Sequence, residues 1–323
     1  MNTPSQVVVR VQDVTRHFSV RKGLLKALDG VSFEVAEGQT LGIVGESGCG
    51  KSTLARLIVG IDQPTSGSIE LGGMAVGDGR RDQKLRLTRL CQMIFQDPFS
   101  SLNPRMRVGE IIAEPLVIHG VGSASQRART VLQLLNRVGL PRDSGRRFPH
   151  EFSGGQRQRI GIARALALKP RILVADEPVS ALDVSVQAQI LNLLADLRDE
   201  LGLTLILVSH DLQVVDWMSD RVLVMYLGRI VEAGAPQALF DTPLHPYTRA
   251  LVEASPSLDR IVDLDQVLTV AGEVPSALNP PSGCPYHPRC PVAQPGCSGD
   301  RPELRSSGGA AQERLVACGE API

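Results

Sequence analysis

The sequence predicts an α/β protein with a parallel sheet covered by helices. Four short runs rich in Val, Ile and Leu, at residues 40–44, 171–175, 203–208 and 221–225, are typical of strands buried on both faces. Apolar residues recur at helical spacing from Val186 to Leu201, between the second and third runs. A strand, a helix and another strand in this order form a βαβ unit, which places the chain in the α/β class.

The rest of the chain divides into a helical insertion and a different C-terminal part. Residues from about 105 to 168 lack strand-like runs and carry apolar residues at helical spacing, which predicts a helical subdomain inserted into the sheet domain. From about Ser255 onward, prolines, glycines and four of the six cysteines appear with little periodicity. We therefore expect a domain at 1–254 and an extension at 255–323 that needs something other than an apolar core to hold its shape.

Composition and charge argue against several classes of protein. Lys plus Arg equals Asp plus Glu, 34 against 34, so no overall basic charge draws the chain toward nucleic acid or anionic lipid. The N-terminus lacks a basic start followed by an apolar core, and no run reaches the roughly 18 apolar residues that a membrane span needs. We expect a soluble, reduced, intracellular protein, in which clustered cysteines more often hold a metal than form disulfides.

A glycine-rich loop follows the first predicted strand. Its sequence, GESGCGKST, fits the pattern G-x-x-x-x-G-K-[ST], and a helical pattern follows it. The glycines let backbone N–H groups curl around phosphate oxygens, Lys51 would reach the β and γ phosphates, and the Ser52 hydroxyl would ligate Mg²⁺. The alternative is a strand-to-helix turn that binds nothing. The predicted nucleotide-binding residues of the loop are Gly45, Glu46, Ser47, Gly48, Cys49, Gly50, Lys51, Ser52 and Thr53.

Two adjacent carboxylates, Asp176 and Glu177, end the predicted strand in RILVADEP. Side chains alternate in direction along a strand, so the two carboxylates cannot have the same role. One can help to hold Mg²⁺ through water, while the other faces the attacking water as a base. Pro178 favours an extended backbone at Glu177. The alternative is a solvated strand end without a function.

Further motifs resemble those of the nucleotide-binding subunits of ATP-binding cassette (ABC) transporters. FSGGQ at 152–156 resembles the signature motif, with a Phe in place of its usual leading Leu. Gln96 in IFQDP resembles the Q-loop, SALD at 180–183 the D-loop, and His210 in LVSHD the switch histidine. Each motif alone has a simpler explanation, such as a helix cap or a satisfied polar group, but all occur in order between about residues 6 and 250.

The resemblance implies a P-loop NTPase sheet core of the ABC ATPase type, with an inserted helical subdomain and a cysteine-bearing C-terminal extension. It also implies that two cassettes pack head to tail, each closing its signature motif over the ATP of the other. Glu177 would polarise the attacking water, His210 would contact the γ-phosphate, and Gln96 would take part in catalysis and, with Ser52, in holding Mg²⁺. Phe18 lies where the family stacks an aromatic ring on adenine. The other implied ATP-binding residues are Ser153, Gly154, Gly155, Gln156, Asp176 and Asp183.

Three stretches are similar to ATPase subunits of bacterial oligopeptide and dipeptide importers: DPFSSLNPR at 97–105, HPYTRAL at 245–251 and PPSGCPYHPRC at 280–290. Within this subgroup the chain most resembles the F-type subunit, which pairs with a related D-type ATPase. This implies a peripheral ATPase on the cytoplasmic face of the bacterial membrane, working with two transmembrane permease subunits and an extracytoplasmic binding protein. By physics alone, HPYT could equally be a proline-stiffened loop.

Other functions fit the sequence less well. Importers of the same subgroup carry nickel, glutathione or opines, so the cargo stays open. An ABC ATPase acting on nucleic acid would need paired cassettes or a long coiled-coil insertion with a basic surface, and this neutral chain has one cassette. Lys51, Asp176 and Glu177 are all present, which argues against an inactive regulatory subunit.

The four cysteines of the extension, Cys284, Cys290, Cys297 and Cys318, have the spacing C-x5-C-x6-C-x20-C. Four thiols are the ligand count of an iron–sulfur cluster or a structural zinc site, but the tight C-x2-4-C pairs usual for zinc are missing. The resemblance implies a [4Fe-4S] cluster, with Zn²⁺ and free thiols as alternatives. Cys49 and Cys91, within the glycine-rich loop and before Gln96, are assigned no role as cluster or metal ligands.

Overall fold

The computed structural model describes residues 6–77, 79–255, 273–307 and 314–321, and residues 256–272, where the predicted extension begins, lie outside this part. The strands are β1 (Val7–Val20), β2 (Gly23–Ala36), β3 (Thr40–Val44), β4 (Ser66–Leu71), β5 (Met74–Ala75), β6 (Cys91–Ile94), β7 (Ile172–Asp176), β8 (Thr204–Val208), β9 (Arg221–Tyr226), β10 (Arg229–Gly234), β11 (Arg305–Ser306) and β12 (Leu315–Val316). The helices are α1 (Lys51–Ile58), α2 (Arg81–Leu90), α3 (Val108–Ile118), α4 (Ala124–Arg137), α5 (Gly154–Leu166), α6 (Val184–Leu201), α7 (Leu212–Met218), α8 (Pro236–Asp241) and α9 (Pro246–Ala254).

The predicted strands and their connecting helix are confirmed. Strand β3 has the expected bounds, β7 and β8 each begin one residue later than expected, and α6 joins β7 to β8. All residues of β3, β7 and β8 are buried. Continuous apolar runs mark these strands because both of their faces are covered.

The main sheet has eight strands in the order β11-β12-β10-β9-β3-β8-β7-β6. Strands β6, β7, β8, β3 and β9 run parallel to their neighbours, and β10 and β12 continue the sheet in antiparallel fashion. The sheet separates two apolar clusters: Leu173 and Ala175 of β7 face one, whereas Ile172 and Val174 face the other. Alternation along one strand therefore builds two cores.

A second sheet, in the order β2-β1-β4-β5, covers one of these cores. The sequence analysis did not identify it. Long antiparallel strands with register shifts, such as those between Val11 and Val14 of β1, interrupt the two-residue alternation from which a strand is recognised. Its apolar side chains, including Val9 and Ile69, pack against the main sheet.

Helices occupy most of the stretch from 105 to 168. It contains α3, α4, α5 and two short 3-10 helices, at Arg142–Arg146 and Pro149–Glu151, and no strand. Side chains of α3 and α4, such as Ile111 and Leu135, join the apolar cluster that also covers the outer side of β7. None of the helices in the described ranges is long and apolar enough to cross a membrane.

Described residues of the extension contribute to the apolar core, and the expectation that the extension needs a further source of stability stays a prediction. Tyr286 is buried in the main cluster, and β12 pairs with β10 through Glu232 and Val316. The buried guanidinium of Arg314 binds the carboxylate of Glu232 at 2.7 Å. Single anchoring residues, rather than a periodic pattern, attach this segment, and single residues leave no periodicity to detect.

Candidate nucleotide site

The glycine-rich loop joins β3 to α1 and is packed tightly against neighbouring strands. Gly45 and Gly50 have φ values of 150° and 107°. A Cβ atom added to Gly45 would lie 2.2 Å from the Met225 carbonyl oxygen, and one added to Gly50 would lie 2.4 Å from the Ala27 carbonyl oxygen. Both the left-handed backbone and the close approach of main chain thus require glycine here.

Lys51, the first residue of α1, lies buried beneath the loop. Its ammonium donates hydrogen bonds to the carbonyl oxygens of Gly45 at 2.6 Å and Glu46 at 3.0 Å. The thiol of Cys49 is 3.8 Å from the same nitrogen, and burial raises the pKa of this thiol. The charge of Lys51 is therefore held by the loop that would surround a phosphate.

Ser52 and Asp176 bring a hydroxyl and a carboxylate together at the start of α1. The Ser52 hydroxyl donates to the Asp176 carboxylate at 3.0 Å. Burial raises the pKa of Asp176, the Ser52 hydrogen bond opposes this shift, and the nearby charge of Glu177 adds to it. A bound cation would offset both the cost of burying the Asp176 carboxylate and its repulsion from Glu177. Oxygen donors of this type suit Mg²⁺.

Glu177 meets two of the other predicted site residues. Its carboxylate accepts a hydrogen bond from Gln96 Nε2 at 2.8 Å and lies 3.5 Å from His210 Nδ1. Asp176 and Glu177 thus have separate partners, as predicted, although Glu177 lies beyond the end of β7. The contact of Gln96 is with Glu177, and no hydrogen bond joins it to Ser52 among the described residues.

The backbone of Glu177 is not extended, so the effect expected from Pro178 is wrong. Glu177 has a φ of 45°, in the left-handed region. Its N–H donates to the Val208 carbonyl at 2.9 Å, and its own carbonyl accepts from the Ser180 N–H at 3.3 Å. These two bonds end the strand and start a turn, and they outweigh the local preference, at a cost of about 1–3 kcal/mol.

The signature motif begins α5. The Ser153 hydroxyl accepts from the Gln156 N–H at 3.4 Å, and the Gln156 side chain accepts from the Ser153 N–H at 3.0 Å. Gly154 and Gly155 follow this capping box, and a Cβ atom on Gly155 would lie 2.4 Å from Val186 of α6. In the described residues, no hydrogen bond or ion pair joins this motif to the glycine-rich loop.

The remaining predicted residues are less closely connected to this site. Asp183 precedes α6 in the N-cap position, and its side chain accepts no capping hydrogen bond from the described backbone of α6. Phe18, on β1, is half-buried, and the guanidinium of Arg16 lies 4.3 Å from the centre of its ring. Ser47 and Gly48 are exposed at the tip of the loop, and Thr53 is half-buried in α1.

Two residues beyond the predicted set contact the glycine-rich loop. The hydroxyl of Tyr247 accepts a hydrogen bond from the Glu46 N–H at 2.8 Å. Arg289, from the extension, forms an ion pair with the Glu46 carboxylate at 2.8 Å. The HPYT stretch was a signal for Tyr247, but nothing in the sequence pointed from Arg289 to a loop 243 residues away.

The four cysteines of the extension line one cavity of about 240 Å³. Burial and the proximity of the other three thiols raise the pKa of Cys284. Backbone N–H groups donate to the sulfurs: Gln294 to Cys297 at 3.5 Å, and Tyr286 to Cys284. No three metal-binding side chains of the described residues are close enough together to hold a metal ion.

The thiols of the extension thus share one cavity without forming a metal-binding group in the described residues. Cys91, in contrast, is fully buried in an apolar cluster, which raises its pKa to about 12.

Comparison with known proteins agrees with the geometry. The ABC transporter family model matches residues 28–180, and the model of the oligopeptide/dipeptide transporter C-terminal region matches residues 231–297. The di/tripeptide transport ATP-binding protein DppF of Pseudomonas aeruginosa is 48% identical, over 97% of each chain. The oligopeptide transport ATP-binding protein AppF of Bacillus subtilis is also 48% identical, over 97% of each chain.

Solved structures match the sheet domain. The ATP-binding cassette MJ0796, as a dimer in a post-hydrolysis state bound to ADP and Pi, is 30% identical with a TM-score of 0.65. The match covers 71% of this chain and 98% of that one. The order of the motifs, the fold and these relatives lead to one conclusion. The chain belongs to the ATP-binding proteins of the ABC transporter family, in the group that carries the oligopeptide/dipeptide transporter C-terminal region.

Proposed function

We propose that this chain is the ATP-hydrolysing subunit that powers peptide import through a membrane ABC transporter. The observation that carries the proposal is the cluster of Gln96, Glu177 and His210 beside the Ser52–Asp176 pair. The cluster and the pair together supply the proposed proton acceptor, Glu177, and the proposed Mg²⁺-binding oxygens of Ser52 and Asp176. The names of the relatives, which refer to di/tripeptide and oligopeptide transport, support peptides as the cargo.

In the proposed reaction, Lys51 turns from the loop carbonyls to the phosphate oxygens, which the backbone N–H groups of the loop also bind. Ser52 and Asp176 would hold Mg²⁺, which when bound would neutralise charge on the phosphates. Glu177 accepts a proton from the attacking water, Gln96 keeps the carboxylate oriented, and His210 contacts the γ-phosphate. The products are ADP and inorganic phosphate.

The signature motif completes the site of a second cassette in this proposal. The N-terminus of α5 carries the positive end of the helix dipole, and its N–H groups would bind the γ-phosphate of the partner's ATP. Two observations support this arrangement: the motif has no bond to the loop of its own chain in the described part, and the related cassette MJ0796 is dimeric. A related D-type subunit would be the partner, forming a heterodimer.

We propose that the permease subunits bind at a groove beside β6. A cavity of about 570 Å³ lies there, with an apolar wall that includes the exposed side chains of Ile61 and Phe95, and Glu114 and Arg164 supply charge. A short helix of a membrane subunit fits such a mixed surface, which would place this chain at the cytoplasmic face of the membrane. An extracytoplasmic binding protein would select the cargo, so nickel, glutathione or opines stay possible alternatives. Action on nucleic acid is the less favoured function.

We also propose a [4Fe-4S] cluster held by Cys284, Cys290, Cys297 and Cys318. Their thiols line one cavity, and the lack of C-x2-4-C pairs in the sequence favours the cluster over Zn²⁺. The cluster would stabilise the extension, proposed as 255–323, against the nucleotide-binding domain at 1–254, whose helical subdomain spans about 105–168.

Substitution of Glu177 tests the ATPase proposal. In the complex isolated through a tag on this chain, Glu177→Gln should lower kcat by about 10²- to 10⁴-fold, because the amide cannot accept the proton of water. ATP should still bind, and peptide uptake into proteoliposomes should stop. Glu200→Gln, at an exposed carboxylate of α6, is the control and should leave hydrolysis unchanged. Normal turnover of Glu177→Gln would contradict the proposed role.

Metal analysis tests the cluster. Anaerobically purified protein should contain four iron atoms per chain and absorb at roughly 400 nm. Gly283→Ala should lower the iron content, since Gly283 has a φ of 62° and a Cβ would lie 2.3 Å from the Cys297 carbonyl oxygen. Gly296→Ala, where a Cβ meets no atom within 4 Å, is the matched control. One zinc and no iron would favour the alternative.

A further inference from the structure

The extension contacts the glycine-rich loop through one ion pair that contains two hydrogen bonds. Arg289 donates to the two carboxylate oxygens of Glu46 at 2.8 and 3.0 Å. The side chain of Arg289 is 4% exposed and that of Glu46 22% exposed. A two-pronged bond between a guanidinium and a carboxylate fixes orientation as well as distance, and partial burial strengthens it relative to a surface pair.

A second anchor comes from the HPYT stretch. His245 is the N-cap of α9, with its Nδ1 accepting from the Tyr247 N–H at 3.1 Å, and Pro246 occupies the first turn. The stretch is therefore a helix start and not merely a stiff loop. This start places the buried hydroxyl of Tyr247 2.8 Å from the Glu46 N–H, which donates to it.

Three buried tyrosines connect the two anchors. The ring of Tyr226 lies 4.6 Å from that of Tyr247 and 5.3 Å from that of Tyr286, measured between ring centres. The hydroxyl of Tyr226 is 3.3 Å from the Arg289 guanidinium. Rigid aromatic packing of this kind leaves little freedom for Arg289 or Tyr247 to move independently.

Glu46 is thus held at three points. Arg289 binds its carboxylate, Tyr247 accepts from its N–H, and its carbonyl oxygen accepts from the Lys51 ammonium at 3.0 Å. Because the first two partners lie outside the loop, they set the position of the carbonyl that receives Lys51. The backbone of the loop around Glu46 therefore depends on residues that follow the sheet domain in the sequence.

Arg289 also lies between two of the pocket cysteines. It ends the short 3-10 helix His287–Arg289, directly before Cys290. The Arg289 N–H donates to the Tyr286 carbonyl at 2.9 Å, and the His287 N–H donates to that of Cys284 at 3.1 Å. A change in the thiol positions must therefore move the backbone that carries Arg289.

We propose that Arg289 is a positioning residue for ATP binding. It holds the glycine-rich loop in place through Glu46, and through it the position of the loop depends on the positions of the cysteine thiols. The inference rests on the proposed ATP site. Other contacts keep the extension docked when Arg289 is changed: Arg301 binds Asp29 at 3.2 Å, and the Lys26 N–H donates to the Ala277 carbonyl at 3.1 Å. Substitution of Arg289 therefore tests the grip on the loop rather than attachment of the extension.

The experiment measures equilibrium affinity for a fluorescent ATP analogue, with EDTA present to prevent hydrolysis, and then KM and kcat with Mg²⁺. Arg289→Gln in the isolated complex should weaken nucleotide binding about ten-fold and raise KM in proportion, with a smaller change in kcat. Arg289→Lys should recover part of the affinity, because an ammonium keeps the charge but lacks the paired N–H donors that bind both carboxylate oxygens. Arg249→Gln, on the exposed side of α9, is the control and should bind as the wild type does.

A double-mutant cycle identifies the route. Glu46→Gln alone should weaken binding to a similar degree, and combining it with Arg289→Gln should add little, since both remove the same ion pair. Additive losses would overturn the route through Glu46. Wild-type affinity in Arg289→Gln would overturn the inference. If Arg289→Gln does not fold, the affinity and KM of Glu46→Gln and Arg289→Lys decide in its place.

The cysteine pocket forms the last arm. Cys290→Ser should weaken nucleotide binding, and adding Arg289→Gln should cause little further loss. Unchanged affinity in Cys290→Ser would overturn transmission from the pocket. Failure of the inference differs from failure of the proposed function, because a wild-type complex that does not hydrolyse ATP refutes only the latter.

Discussion

Replacement of Arg314 by Met gives a sharp test of how the extension is attached. The Arg314 guanidinium is 2.7 Å from the Glu232 carboxylate, and the two side chains are 10% and 0% exposed. Methionine keeps an apolar stem of similar length but leaves a buried carboxylate without its cation. Among the described residues, the carboxylate then keeps hydrogen bonds from the backbone N–H groups of Leu244 and His245, each at 3.0 Å.

Removing one partner of a buried ion pair costs roughly 3–5 kcal/mol, and the two remaining donors argue for the lower end. We therefore expect the free energy that holds the extension against β10 to fall by about 3 kcal/mol in Arg314→Met. The exposed pair of Arg137 and Glu200, with side chains 38% and 54% exposed, is the matched comparison. Arg137→Met should cost less than about 1 kcal/mol because both groups stay in water.

Amide hydrogen exchange measures this loss of stability at the contact between the extension and β10. The Ala317 N–H donates to the Val231 carbonyl at 2.8 Å and reports release of the extension from β10. Its protection should fall by about two orders of magnitude in Arg314→Met. Adding Glu232→Gln, which removes the buried charge, should restore part of the protection. Protection in Arg314→Met that matches Arg137→Met would refute the argument from burial.

Two further predictions concern a close contact and a buried histidine. Gly155→Ala should lower the free energy of unfolding by about 1–3 kcal/mol in urea titrations, because its Cβ would lie 2.4 Å from Val186, whereas Gly161→Ala in the same helix meets no atom and should not destabilise. Burial lowers the pKa of His245 from 6.5 to about 4, so the folded state binds fewer protons than the unfolded state between these values. The free energy of unfolding should therefore fall by roughly 3 kcal/mol as pH drops through this window. His245→Asn, which can cap the helix without titrating, should lose less over the same window. An equal pH dependence in both proteins would contradict the burial of a neutral imidazole.

The sequence determined the central sheet and the chemistry at its edge. Buried parallel strands need continuous apolar runs, so β3, β7, β8 and β9 were predicted to within one residue. A phosphate-binding turn needs particular residues at fixed spacing, so the glycine-rich loop and its lysine were also evident. Local rules of this kind can be read from a few neighbouring residues.

Tertiary structure decided what depends on contacts between distant segments. The left-handed backbone of Glu177 results from bonds to β8 and to the following turn, which override the preference of the residue before a proline. The β1–β2 hairpin hides its pattern in register shifts. The contacts of the extension with the sheet domain include those of Arg289, Arg314 and Tyr286, single side chains whose partners lie far away in sequence. No periodicity encodes such pairs, because each is an individual match of charge or shape that exists only once the chain has folded.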